Sequence, residues 1–237
     1  MYSRKLISSI VVGAAVLVAG GSYGIVSATS SSAPSGSATS GSPTSGSSAA
    51  AGGGAESNAR SGPAQGGASG TVASVSTSTF TLSTATGQKV TVKEDAATTY
   101  EKGTRPASAG AVTTGMAVLV LGTTSGTTIA AAQVIVQPTT TGSAASSSAK
   151  VVPFQRGAPT TSKQVGQIPA SWTQGSGTII SGTAANEATE AALAAYPGGI
   201  VDRVVKLSDG EYNVHYIGVN WPHHVFVNQD FTVVGAE

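Results

Sequence analysis

All three histidines of this chain, His215, His223 and His224, fall within ten residues near its end. Imidazoles gathered so closely are the raw material of a metal site or an acid–base pair. A metal shell needs several convergent ligands, and the spacing works against that. Adjacent His223 and His224 on a strand point to opposite faces, so at most one meets His215 across a sheet. The chain has no Cys, and Glu211 and Asp230 are the nearest carboxylates along the sequence. Ordinary strand histidines satisfy the pattern, and no metal or other cofactor is expected. Next to them stands Trp221-Pro222, inside Gly218-Val-Asn-Trp-Pro-His-His. A Trp in a strand connection either anchors a partner or folds back over the sheet edge, because both uses exploit a large amphipathic ring. Trp221, Pro222, His223 and His224 are therefore the candidate partner-binding residues.

Nucleophilic catalysis finds little material. Gly20-Gly-Ser-Tyr-Gly24 has the spacing of a Gly-x-Ser-x-Gly elbow but lies in an apolar leader, without a strand–turn–helix around it. Ser147-Ser-Ala-Lys150 has Ser-x-x-Lys spacing inside a Gly/Ser/Ala-rich connector that cannot hold reacting atoms in place. No Gly-x-Gly-x-x-Gly follows an expected strand and opens a helix, so no nucleotide loop is expected. No catalytic residue is assigned, and the chain reads as a non-enzyme.

The elements that must position these residues follow from composition. Only 10% of the 237 residues are charged and 5% aromatic, with 31 Gly and 10 Pro, so long stretches lack the apolar area that offsets chain entropy. Arg4 and Lys5, the apolar run Leu6–Ala19 and Val26-Ser-Ala28 compose a signal peptide or an uncleaved anchor over 1–28, which places the protein outside the cytoplasm. Setting Arg4 and Lys5 aside reduces twelve basic side chains to ten, against eleven acidic ones. No basic face for nucleic acid is visible. Residues 29–69, almost wholly Ser, Gly, Ala, Thr and Pro, read as a disordered spacer, and 138–177 as a second disordered linker, punctuated by the apolar anchors Phe154, Ile168 and Trp172.

Between the linkers, 70–137 alternates apolar and small polar residues: Thr71–Val75, Phe80–Leu82, Val90–Val92, Gly115–Gly122 and Ile129–Val136. Five to six such strands with turn signals between them predict a small closed or nearly closed antiparallel barrel of OB-like type. Residues 178–237 predict an α+β unit. A helix starts at a Thr183 N-cap and stops at Pro197-Gly-Gly199, presenting Ala185, Ala188, Ala192 and Tyr196 on one face. Strands Ile200–Leu207, Glu211–Ile217, His224–Val227 and Phe231–Val234 form the antiparallel meander beneath it.

The C-terminal run Asn186-Glu-Ala-Thr-Glu-Ala-Ala-Leu-Ala-Ala-Tyr-Pro-Gly-Gly-Ile-Val-Asp-Arg-Val-Val, followed by Tyr212-x-Val214, resembles the PepSY domain. Matching positions are Glu187, Ala188, Ala192, Pro197–Gly199, Val201, Val204, Val205, Tyr212 and Val214. The Asp-x-x-x-Gly turn of that family is replaced by Asn228-Gln-Asp230, and the Trp221–His224 segment is atypical of it. The resemblance implies an exported, non-catalytic module that binds and modulates a secreted peptidase or another envelope protein. Two other classes stand beside it: an envelope stalk binding cell-wall polymer, and a hydrolase. The 70–137 segment looks like the small barrel domains of unknown function in exported bacterial proteins, a likeness that carries fold and no activity.

Overall fold

The computed structural model describes residues 62–137, 151–159 and 161–237. The expected leader, the spacer through Ser61 and the Ser147–Lys150 match lie outside the described residues. The described part belongs to one compact unit, is mostly β, and has one α-helix. No helix among the described residues is long and apolar enough to cross a membrane.

Five strands close a barrel: β1 (Ala64–Val75), β2 (Thr79–Ser83), β3 (Lys89–Lys93), β6 (Ala117–Ser125) and β7 (Thr128–Val136). The short β4 (Thr99–Lys102) and β5 (Arg105–Pro106) lie between β3 and β6 in sequence. Around the barrel β1 pairs with β2, β2 with β3, β3 with β7, β7 with β6, and β6 with β1. Period-two alternation drives closure, since Val72, Phe80, Leu82, Val90, Val92, Val118, Val120, Ile129 and Val134 all turn into one core. The expectation of a wholly antiparallel barrel is corrected at one seam, where β3 runs parallel to β7. The β4 excursion between β3 and β6 is what allows this, because a parallel neighbour needs a crossover in place of a tight turn.

β1 also begins earlier than expected, inside the Ser/Gly/Ala spacer. Its Gln-Gly-Gly-Ala stretch reads as linker but serves close packing. A Cβ on Gly66 would stand 2.1 Å from Val201 O, and one on Gly67 2.2 Å from Val120 O. Only glycine lets β1 pair with β6 on one side and with β11 (Ile200–Lys206) on the other. Through that second pairing the barrel and the C-terminal strands share one continuous sheet.

The C-terminal part orders its strands β10 (Thr178–Ile180), β11, β12 (Tyr212–Ile217), β14 (His224–Val227), β15 (Val233–Ala236) and β9 (Val165–Gly166). A separate ribbon pairs β8 (Val152–Pro153) with β13 (Val219–Trp221). The helix α1 (Thr183–Ala195) buries Ala185, Ala188, Ala192 and Leu193 against Leu119 and Leu121 of β6 and against Tyr212, Val214 and Tyr216 of β12. Small Ala side chains allow that close approach. Its N-cap is Gly182 and not Thr183: with φ 84° Gly182 lies outside the helix, and its N–H donates to Gln65 Oε1 of β1 at 2.6 Å. The last strand starts two residues later than expected. Asn228 Oδ1 accepts from the N–H groups of Asp230 and Thr232, which prolongs the turn, and Phe231 sits at φ 55° within it.

The connector is corrected as well, since its described part is not a disordered tether. β8 and β9 add to sheets, and Ile168 and Trp172 cover Val205, Leu207 and Phe226 on the sheet face opposite α1.

Candidate functional site

The sheet face away from α1 carries the polar cluster. Along β12, Tyr212, Val214 and Tyr216 point to the helix, so Asn213 and His215 point the other way; along β14, Val225 and Val227 leave His224 and Phe226 on that same side. His215 and His224 are direct cross-strand partners, with ring centroids 5.0 Å apart in an edge-on arrangement. Thus His224, not His223, is the histidine that meets His215 across the sheet. His223 precedes β14 and lines the groove beside them.

Each ring of the pair is held by an oxygen. His215 Nδ1 donates to Asp202 Oδ1 at 2.6 Å, and Asp202 Oδ2 accepts from the Arg203 guanidinium at 2.9 Å. A bulge between Val201 and Arg203 lets these two sequence neighbours serve one histidine, a common use of a bulge. His224 Nδ1 lies 3.0 Å from Asn213 Oδ1. The Trp172 ring closes over His224 at 5.0 Å and meets Phe226 edge-on at 5.3 Å. Burial pushes the His224 imidazole down to about 3; the charges of His215, Arg203 and His223 add to this and Asp202 opposes it. His224 is therefore a neutral ring near neutral pH, and its Nδ1–H donates to Asn213. Arg203 Nε and Trp172 Nε1 are buried without a hydrogen-bond partner.

In front of the pair lies a groove of about 530 Å³, walled by Thr161–Gln164, Gln174, the three histidines and Glu237. Trp221 is not part of that lining and belongs to the core cluster that α1 covers. It is 1% exposed, packs edge-on against Tyr196 at 5.5 Å, and donates from Nε1 to Lys163 O at 2.7 Å. The Lys163 ammonium sits 4.7 Å from the centre of that ring. Pro222 is buried beside it. Of the four residues singled out from the sequence, His223 and His224 reach the groove, whereas Trp221 and Pro222 are spent on the core. No family model, curated protein or solved structure matches the chain.

Among the described residues no three His, Asp or Glu side chains converge as a metal ion would require. A second hollow of about 470 Å³ opens at the barrel rim near Val75, Thr77, Glu94 and Val112. There Tyr100 donates to Glu94 Oε1 at 2.9 Å, and its hydroxyl is pushed up to about 12 by burial first and by Glu94 next.

Sequence reasoning missed Asp202, Arg203, Asn213, Lys163 and Glu237 as members of the histidine site. One signal was readable. The Ser208-Asp-Gly turn sets a hairpin register that pairs His215 with Arg203. The bulge that adds Asp202 has no such signature, and neither does the return of the connector with Lys163.

Proposed function

We propose that this chain is an exported, non-catalytic envelope protein that recognises another protein through the groove at His215, His223 and His224. In this reading 178–237 is a PepSY-like α+β module, and its partner is a secreted peptidase or another envelope protein. The observation that carries the reading is the groove itself. It is an open, polar hollow on the sheet face away from α1, with His215 and His224 pinned through Nδ1 and with Lys163 at its wall. Pinned side chains lose little entropy on binding, which suits recognition. The barrel is read as OB-like because five strands close it. Export rests on the leader read from residues 1–28.

One observation favours a second reading, hydrolysis: a carboxylate 2.6 Å from His215 Nδ1 is how a general base is oriented. The two readings separate in one experiment. The full chain without its leader is titrated against a panel of secreted peptidases, following both binding and peptidase activity, with His223→Asp as control. The recognition reading expects saturable binding that the control weakens. Absence of binding across the panel, together with turnover of ester or amide substrates that His215→Gln abolishes, would replace it with the hydrolase.

A further inference from the structure

The groove's chemistry is more specific than its shape, and resting on the recognition reading above, we infer that it takes a single carboxylate presented by the partner polypeptide. Lys163 is the cation of the lining. Its main chain is tied down by the Trp221 Nε1–H bond to its carbonyl, and its ammonium is held over the Trp221 ring. The ion pairs among the described residues are those of Asp202 with Arg203 and His215, and neither involves Lys163. A cation over an aromatic face keeps its charge available, because the ring supplies no counter-charge. The ammonium is thus positioned but not neutralised.

The other charges define what fits. Asp202 is occupied by Arg203 and His215, and Glu237 receives a hydrogen bond from Gln164 Nε2 at 3.1 Å. The lining also holds Thr161, Ser162, Gln174 and His223, which can donate hydrogen bonds to a carboxylate. Lys163 is the one lysine or arginine of the lining, and a single carboxylate matches its single charge. A dianion such as phosphate would meet twice the repulsion from Glu237 without a second free cation to offset it. An apolar anchor finds no aliphatic side chain in the lining.

A carboxylate can come from an acidic side chain or from a chain terminus, and small probes separate the two. The full chain without its leader, labelled with nitrogen-15, is titrated with N-acetylglutamate α-amide, N-acetylalanine, N-acetylglutamine amide and inorganic phosphate, following the His223 and Gln174 side-chain resonances. Saturable shifts with one or both carboxylates are expected, and the tighter one names the source. Lys163→Gln should weaken the carboxylate roughly tenfold or more, as loss of a charge-assisted hydrogen bond does. Lys163→Arg should retain it, and both exposed-site variants should keep the parent circular dichroism. Tighter binding of phosphate, equal binding of the uncharged amide, an unaffected Lys163→Gln, or no saturable shift would each overturn the inference. Capture of a peptidase that neither Lys163→Gln nor added carboxylate disturbs would remove the carboxylate and leave the recognition reading. Carboxylate binding without any protein partner would do the reverse.

Discussion

His224 should make this protein acid-sensitive by a calculable amount. Its imidazole ordinarily titrates near 6.5, and burial against Trp172 and Phe226 pushes it down to about 3 in the folded chain. Below about pH 6.5 the unfolded chain takes up a proton at this site that the folded chain refuses. The unfolded state then binds more protons, so stability rises with pH across that window. The contribution is complete above about 6.5 and drains away as pH falls toward about 3. At about 1.4 kcal/mol per unit, moving from about pH 7.5 to about pH 5 costs at most about 2 kcal/mol through His224. The measurement is urea unfolding at both pH values, read by the fluorescence of Trp172 and Trp221. His224→Gln is the comparison, since it keeps a donor for Asn213 and removes the proton site. All other titrating groups are common to both proteins, so the difference between their pH responses isolates this ring. The parent should lose about 1–2 kcal/mol more than the variant between the two conditions. Identical pH responses would refute the argument that burial keeps His224 neutral.

Three further outcomes are expected. Gly66→Ala should destabilise by about 1–3 kcal/mol, because its methyl would be driven into Val201 O, whereas Gly62→Ala, with open space around it, should change stability by less than about 0.5 kcal/mol; thermal melts compare them. Trp221→Ala should cost about 3–5 kcal/mol in denaturant unfolding, as expected for an aromatic ring in the core, and a surface-like cost would argue against its burial. Thr86→Val and Gln88→Ala each remove a barrel side chain that donates to a glycine carbonyl, Gly198 O at 2.7 Å and Gly218 O respectively. Each should cost about 1 kcal/mol, and together they should speed amide exchange at the α1–β11 turn and at the end of β12, with unchanged exchange counting against the contacts.

How much was readable beforehand follows from the range of each interaction. Alternation in Phe80–Leu82 and Val90–Val92 is local, because a strand shows its two faces in its own residues, and these strands form where the pattern puts them. The helix face of Ala185, Ala188 and Ala192 was readable for the same reason. Glycine misled at β1. Gly66 and Gly67 look the same in sequence whether they permit disorder or permit backbones to touch, and the difference lies in Val201 and Val120, far along the chain. The site failed in the same way. His215 could be singled out by type, but its carboxylate comes from a bulge on the neighbouring strand, and the lysine that shares its groove comes from a connector of unremarkable composition.

Residue type and periodicity by themselves determined that the described residues build strands, an Ala-faced helix and a cluster of three imidazoles. Those properties are written within a few residues of each other. Tertiary structure decided that β1 belongs at once to the barrel and to the C-terminal strands, and that Trp221 is structural ballast beneath Lys163. It also decided that His224 is neutral while His215 has a carboxylate partner. Hydrogen bonding, desolvation and close backbone contact depend on what stands opposite, and that neighbour is chosen only when the sheet closes.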